Sequence, residues 1–228
     1  MRTLAVGDIH GSSAALDALM EVVRPTRDDL LVFLGDYVDR GPDTRGVIDR
    51  LIAWQESLRI VCLRGNHELM MARSRWDQSE RRMWLSVGGV AAIQSYLVEG
   101  SRATLDAIPP RHWQFLERGL SDFFETETHL FVHANLDPTV PLAEQTELML
   151  FWEFLAEPVR HESGKIMVCG HSTQRNGLPR AWPTTVCIDT GAYTPNGWLT
   201  CLDVTRQKYW QANQRGETRS GELQVEED

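Results

Sequence analysis

The sequence predicts an α/β fold in which two packed β-sheets are flanked by helices. Three observations predict it: short apolar runs typical of buried strands, helical repeats between the first three runs, and clusters of Asp, Asn and His directly after several runs. Ligands of open α/β sheets bind beyond the carboxyl ends of the strands. We therefore expect a functional site at the shared carboxyl-terminal edge of the two sheets.

Seven strands are predicted from continuous, largely β-branched runs that stop at Gly or Asp. They cover residues 4–6, 30–34, 60–63, 130–132, 166–169, 186–188 and 198–204. Apolar residues at 16, 19, 20 and 23 predict a helix after the first strand, with Ser12 or Ser13 as its cap. Apolar residues at 47, 48, 51 and 52 predict a second helix, with Pro42 and Asp43 at its start. This alternation of strands and helices predicts right-handed crossovers and a parallel sheet.

The 228 residues fit one compact domain, which we place at residues 1–211. Between residues 68 and 122 the pattern is mostly helical, with several aromatic side chains supplying bulk, and it predicts a helical insertion. Residues 212–228 are polar and end in acidic side chains. They are predicted to be a flexible, solvated tail.

Composition excludes several classes of protein. The 32 acidic and 23 basic side chains give a net charge of −9, which argues against broad binding to nucleic acid or anionic membranes. No apolar run approaches the roughly 18 residues of a membrane span. The first residues reach polar side chains too soon for a signal peptide, so we expect a cytoplasmic protein. The four cysteines lie apart in apolar runs, which predicts buried thiols rather than disulfides or metal ligands.

Polar clusters follow five of the predicted strands. They are Gly7-Asp8-Ile9-His10-Gly11, Gly35-Asp36-Tyr37-Val38-Asp39-Arg40-Gly41, Arg64-Gly65-Asn66-His67-Glu68, His133-Ala134-Asn135 and Gly170-His171. A single Gly-Asp after a strand is usually a turn, and a single His or Arg there is often structural. Five clusters on five strands, with four of the seven histidines among them, favour one common site. Its mixed oxygen and nitrogen donors suit Mn, Fe or Zn better than Ca or Mg alone.

The first three clusters together resemble the signature blocks of the calcineurin-like metallophosphoesterases. Within that superfamily they are most similar to the bacterial and phage branch of the PPP-type serine/threonine protein phosphatases. The stretches Trp84-Leu85-Ser86-Val87-Gly88-Gly89 and Ile188-Asp189-Thr190-Gly191-Ala192 also resemble bacterial members, so the similarity extends from residue 1 to about residue 204. The three blocks are specific for the fold and the metal centre, and much less specific for the substrate.

The resemblance implies two divalent metal ions, with Mn as the first choice and Fe or Zn as alternatives. One ion would be held by Asp8, His10 and Asp36. The residues implied for the second ion are Asp36, Asn66, His133 and His171, so that Asp36 bridges the pair. Two ions bring four positive charges, while two carboxylates and a bridging hydroxide return three, which leaves a centre that attracts a phosphate dianion. Solvent screening over about 8 Å keeps the negative charge of the whole chain from cancelling this local charge.

The resemblance also implies roles for two further pairs of residues. His67 would be the general acid that protonates the leaving group, oriented by Asp39, and Arg40 and Arg64 match positions that bind phosphate oxygens. Asn135 departs from the family pattern, which usually has Gly there.

A third phosphate-binding Arg usually follows a Leu-Trp pair, but here Phe151-Trp152 is followed by Glu153-Phe154. Arg160 is the nearest candidate for that arginine.

The function implied is that of a metal-dependent phosphomonoester hydrolase, in which hydroxide held by the two ions attacks phosphorus. Asp39 directly before Arg40 favours a serine/threonine-type phosphoprotein phosphatase. A hydrolase of diadenosine polyphosphates or other small phosphoesters is the alternative, because symmetrical diadenosine-tetraphosphate hydrolases resemble the same blocks. A non-catalytic binding module is a third hypothesis, weakened because every ligand type and the His67–Asp39 pair are present. The expected partner is therefore a phosphoprotein or a small phosphoester.

Overall fold

The computed structural model describes residues 1–97 and 104–226. Its strands are β1 (Thr3–Val6), β2 (Leu30–Phe33), β3 (Arg59–Cys62), β4 (Phe123–Glu125), β5 (His129–Val132), β6 (Ile166–Cys169), β7 (Arg180–Trp182), β8 (Thr185–Cys187), β9 (Leu199–Asp203), β10 (Lys208–Ala212) and β11 (Thr218–Glu222). The helices are α1 (Ser13–Val23), α2 (Thr44–Ser57), α3 (Asn66–Arg73), α4 (Gln78–Trp84), α5 (Val90–Ser95), α6 (Pro110–Arg118) and α7 (Glu147–Phe151). A π-helical turn, Leu85–Gly89, joins α4 to α5.

The strands form two mixed sheets. The first has the order β11-β10-β9-β1-β2-β3, and the second has the order β4-β5-β6-β8-β7. Strands β1, β2 and β3 are parallel, as are β5, β6 and β8, so their carboxyl ends lie at a common edge within each sheet. The predicted parallel sheet at the front of the chain is confirmed, and so is the two-sheet architecture.

A buried apolar layer separates the two sheets. Ala5 and Val32 from the first sheet pack in one cluster with Phe131, Val168 and Val186 from the second. The alternate residues of β1 and β2 point to the opposite face, where they pack against α1 and α2, because successive side chains of a strand face opposite sides. The second sheet carries its own outer layer, which includes α7.

The starts of the first two helices differ in their capping. Asp43 caps α2, since its carboxylate accepts the Gly46 N–H at 2.8 Å, as the sequence predicts. Ser12 precedes α1 but makes no side-chain cap, because its hydroxyl donates to the carbonyl of His10 instead. The four cysteines are all buried thiols, as predicted.

The described part of the insertion is helical, as predicted, and residues 98–103 of it lie outside the described residues. The flexible tail was a wrong prediction where the structure describes it, because residues 218–222 form β11, an antiparallel edge strand on β10. The side chains of β11 are mostly exposed and polar, so the strand lacks the apolar run used to identify strands. Residues 227–228 of the predicted tail lie outside the described residues. Within the described residues, no helix is long and apolar enough to span a membrane.

Candidate metal centre

The loops that follow β1, β2, β3, β5 and β6 meet at one edge of the molecule. Glu68, in the first turn of α3, is buried and organises two of them. Its carboxylate accepts the backbone N–H groups of Asp36, Tyr37 and Val38 from the loop after β2, and that of Gly65, at 2.8–3.2 Å. Burial raises the pKa of Glu68 to about 7, against the opposing effect of these N–H donors.

Close approach of backbone to carboxylate explains two of the loop glycines. A Cβ at Gly65 would overlap the carboxylate of Asp36, and a Cβ at Gly170 would overlap that of Asp8. Only glycine leaves room for these contacts. The glycines of the Arg-Gly-Asn and Gly-His clusters therefore let the backbone reach the carboxylates of neighbouring loops.

Asp36 lies between two histidines, with one carboxylate oxygen directed to each. Its Oδ2 is 3.3 Å from Nε2 of His10, and its Oδ1 is 3.4 Å from Nε2 of His133. Asn66 Oδ1 lies 3.2 Å from the same His133 Nε2. Two ligand atoms that each lie about 2 Å from one metal ion are about 3 Å apart when the ligand–metal–ligand angle is about 90°. These separations therefore fit two ions that share Asp36. Potential ligand atoms form one group on each side of this carboxylate, and Asp36 belongs to both. The first group is His10, Asp36 and His67, and the second is Asp36, His133 and His171.

The histidine tautomers also fit metal binding. Nδ1 of His10 is 2.8 Å from the carbonyl oxygen of Val38, and Nδ1 of His133 is 2.9 Å from that of Leu34. A carbonyl accepts only from N–H, so Nδ1 carries the proton and Nε2 presents its lone pair to the site. A histidine held this way by a carbonyl is the usual outer support of a metal ligand. The donor set therefore fits two divalent ions of the Mn, Fe or Zn type.

The pKa shifts of the buried carboxyl and imidazole groups also favour a metal site. Burial, followed by the charges of Asp189 and Asp36, raises the pKa of Asp8 well above its usual value. Burial also lowers the pKa of His10 well below its usual value, and it lowers that of His171, together with the charge of His133, to about 4. Neutral imidazoles beside crowded carboxylates are what a cation requires, because ligands bind metals in their deprotonated forms.

Asp8 and His171, which are far apart in the sequence, are adjacent in the structure. The backbone N–H of His171 donates to Oδ2 of Asp8 at 3.0 Å. The two sheets therefore bring their loops to one site, as the sequence analysis expects. The structure places all six predicted metal ligands at this edge. His10, Asp36, Asn66 and His133 approach one another through their donor atoms, and His171 joins Asp36 and His133 in one ligand group. Asp8 is in neither ligand group and is joined to His171 through the backbone.

His67 and Asp39 form a buried pair beside this centre. Nδ1 of His67 lies 2.6 Å from Oδ2 of Asp39, and the rings of His67 and His10 meet edge to face at 4.7 Å. Burial lowers the pKa of His67, but the charges of Asp36 and Asp39 outweigh it and raise the pKa above the usual value. Trp84 Nε1 donates to both oxygens of Asp39, at 2.9 and 2.8 Å. Trp84 thereby links the helical insertion to the pair.

The two predicted phosphate-binding arginines differ in their surroundings. Arg40 Nη1 lies 3.0 Å from Nε2 of His10, and its guanidinium stands over the ring of Tyr193 at 4.8 Å, so it is at the centre. The guanidinium of Arg64 instead pairs with Asp122 at 2.9 Å. Because both partners of that pair are accessible to solvent, the pair opposes rotation of Arg64 only weakly.

A cavity of about 610 Å³ opens over the centre, and part of its lining was not predicted from the sequence. Arg175, Tyr193 and Phe154 line it, and Phe154 stacks on the ring of His171 at 4.7 Å. Asn135 reaches the same wall, since its Nδ2 donates to the carbonyl of Phe154 at 3.3 Å.

Arg160, the nearest candidate in sequence for a third arginine, is exposed and is not among the residues that line the cavity. Arg175 lines it instead, together with Arg40. Its position four residues after His171 was the only sequence signal for it.

Comparisons with known proteins agree with this site. The model of the calcineurin-like phosphoesterase family matches residues 1–200. A serine/threonine-protein phosphatase 1 of Salmonella typhimurium is 42% identical over 85 residues, which are 37% of this chain and 37% of the relative. A symmetrical bis(5'-nucleosyl)-tetraphosphatase of Chromohalobacter salexigens is 36% identical over 77 residues, or 33% of this chain and 28% of the relative. The matched segments thus span about a third of each relative.

Among solved structures, a cold-active protein-tyrosine phosphatase of a psychrophilic Shewanella has the same fold. It matches with a TM-score of 0.59 at 15% identity, over 98% of this chain and 80% of that one. The chain belongs to the calcineurin-like phosphoesterase family. Its predicted family and fold are therefore confirmed.

Proposed function

We propose that the protein is a metal-dependent phosphomonoester hydrolase that acts on phosphoserine or phosphothreonine in proteins. The observation that carries the proposal is the place of the Asp36 carboxylate between His10 and His133, next to the His67–Asp39 pair. A site that only bound phosphate would need the ligands but not a buried acid–carboxylate pair beside them. The similarity to a serine/threonine-protein phosphatase over 85 residues supports this choice of substrate.

In this proposal, Asp8, His10 and Asp36 hold one divalent ion, and Asp36, Asn66, His133 and His171 hold the other, with Mn as the expected metal. Bound together, two divalent ions supply hydroxide at neutral pH and neutralise the charge of the phosphoryl oxygens. The remaining steps fall to side chains of the chain itself.

Arg40 binds a phosphoryl oxygen, because its guanidinium stands beside His10 and no carboxylate pairs with it among the described residues. Arg64 adds a second donor after it leaves Asp122. His67 donates its Nε2 proton to the oxygen of the departing serine or threonine. Asp39 accepts from Nδ1 of His67 and so holds the ring in the orientation that this transfer requires.

The replacement His67→Asn tests the proton-donor role. An alkyl phosphate leaves as a strongly basic alkoxide and needs the proton, whereas p-nitrophenolate leaves unaided. We expect kcat on a phosphoserine peptide to fall by about 10²- to 10⁴-fold, and kcat on p-nitrophenyl phosphate to fall much less, with two Mn ions per chain retained. The matched control is His129→Asn, at the start of β5 and away from the site, which should retain activity.

Two results would contradict the assignment. Equal losses on both substrates would argue against proton donation, and loss of a metal ion would make His67 a ligand, which its place in the first ligand group permits. The substrate class is tested separately with unmodified protein and Mn. Rapid hydrolysis of diadenosine tetraphosphate with no activity on phosphopeptides would replace the proposed substrate with the nucleotide alternative, which the similarity to a bis(5'-nucleosyl)-tetraphosphatase supports.

A further inference from the structure

Arg175 is a cation on the cavity wall that has no role in the chemistry described above. It lines the cavity together with Arg40, and Asp36 is the sole carboxylate in that lining among the described residues. The ion pairs found in the described part of the chain do not include Arg175. Once Asp36 binds metal, the cavity wall offers two arginines and no free carboxylate. Such a wall favours an anionic ligand.

The backbone that carries Arg175 is held at both ends. The N–H of Gln174 donates to the carbonyl of Asp189 at 2.8 Å, and the N–H of Gly177 donates to the carbonyl of Gln174 at 2.9 Å. The carbonyl of Gly177 in turn accepts from Nη2 of Arg219 at 2.6 Å and from Nε2 of Gln211 at 2.9 Å. The hairpin of β10 and β11 therefore fixes this loop, while the guanidinium of Arg175 remains available.

The two arginines occupy different places relative to the reacting phosphorus. Arg40 is within 3.0 Å of a metal-ligand nitrogen, so it belongs with the phosphoryl group. Arg175 is exposed on the cavity wall, and no hydrogen bond among the described residues joins it to His171. Phe154, which is 66% exposed, stands on the same wall and offers apolar surface to a polypeptide. On a phosphoprotein substrate, this part of the wall would face the residues on either side of the phosphorylated one.

We propose that Arg175 is a specificity-determining residue that binds an acidic side chain close to the phosphorylated residue of the substrate. The proposal rests on the proposed function, because it assumes a phosphoprotein substrate. A guanidinium binds a carboxylate through two parallel N–H donors, and a fixed loop lowers the entropy cost of that contact. The enzyme should accordingly prefer phosphopeptides with Asp or Glu near the phosphoserine over matched peptides with Ala there.

The test compares kcat/KM for two phosphoserine peptides that differ only in acidic or alanine neighbours. The ratio of acidic to neutral peptide should fall about 3- to 10-fold in Arg175→Ala, the range between an exposed ion pair and a hydrogen bond to a charged group. The change should appear in KM more than in kcat. Arg175→Lys should keep part of the preference, and Arg175→Glu should favour a peptide with lysine neighbours. Arg27→Ala is the matched control, because Arg27 is an exposed loop arginine that does not line the cavity.

The outcomes separate this inference from the function on which it rests. Equal losses on both peptides, with a raised inhibition constant for inorganic phosphate, would show that Arg175 binds the phosphoryl group itself and would overturn the proposal. An unchanged ratio in Arg175→Ala and Arg175→Glu would also overturn it. If the unmodified enzyme hydrolyses neither peptide but does hydrolyse diadenosine tetraphosphate, the proposed function fails instead. A fall in the ratio for Arg219→Ala, with the fold intact by circular dichroism, would support the anchoring role of the hairpin.

Discussion

Replacement of Trp84 by Phe isolates the contribution of the helical insertion to catalysis. Trp84 is fully buried, and its Nε1 is the one donor to Oδ1 of Asp39 among the described residues, at 2.9 Å. Phenylalanine fills most of the same space but leaves that oxygen buried without a partner. Hydrogen bonds to charged groups contribute about 1.5–3 kcal/mol, and 1.4 kcal/mol corresponds to a factor of about ten. Because His67 still donates to Oδ2, we expect the low end of this range, a fall of about 10-fold in kcat on a phosphoserine peptide.

The same change should lower the free energy of unfolding by about 1.5–3 kcal/mol, measured by urea titration. The distinguishing readout is the leaving group: kcat on p-nitrophenyl phosphate should fall less than kcat on the peptide, since Trp84 acts only through Asp39 and the proton donor. Trp76→Phe is the matched control in the same insertion, because Trp76 is 79% exposed. Equal losses on both substrates would refute the link from Trp84 to proton donation and leave only a structural role.

Three further predictions concern metal binding, loop organisation and pH. Asp36→Asn should cost more activity and more bound Mn than His171→Asn, because Asp36 belongs to both ligand groups and His171 to one. Full retention of two ions, measured by elemental analysis, would contradict bridging. Glu68→Gln should lower both the free energy of unfolding, by about 2–4 kcal/mol, and Mn affinity, because an amide cannot accept all four N–H groups that the carboxylate accepts. Asp29→Asn should destabilise the fold by about 1–3 kcal/mol at pH 7, because a hydrogen bond from Arg2 lowers the pKa of Asp29 below its usual value. That contribution is present above the unfolded pKa of about 3.9 and is lost as pH falls toward the folded pKa, so urea titrations of mutant and parent should converge below pH 4.

The first part of the fold could be predicted closely because its signals are local. Strands β1, β2 and β3 are continuous apolar runs, and their ends fall within one residue of the predicted ones. The short strands β4 and β7, with three residues each, and the polar edge strand β11 carry no comparable signal. Each of them pairs antiparallel with the strand next to it in the chain, so its place depends on a hairpin partner rather than on an apolar run of its own.

The residues of the candidate site also divide into those that the sequence predicts and those that only the structure reveals. Asp36 and His67 stand inside motifs that resemble the signature blocks of the family, so the sequence alone places them among the candidate site residues. Trp84 lies 45 residues beyond Asp39 in the sequence and reaches the site through its hydrogen bond to Asp39. Arg175 lies 139 residues beyond Asp36 and reaches the site through the cavity wall. The stretch that begins at Trp84 resembles bacterial members but gives Trp84 no role, and an isolated Arg has many possible roles. The contacts of both residues are seen only in the three-dimensional structure.

The backbone of the site loops explains why the ligand types themselves were predictable. Seven non-glycine residues among those described have positive φ, and five of them are His10, Asp36, Asp39, Arg40 and His171. Such conformations cost about 1–3 kcal/mol for most residues, but Asp, Asn and His adopt them more readily than others do. Four of these five are Asp or His, which are also the side chains that bind divalent metals. At the sharp turns that end the strands, Asp and His therefore serve both the positive-φ backbone and metal binding. The sheets hold the resulting backbone strain at the edge where the site lies.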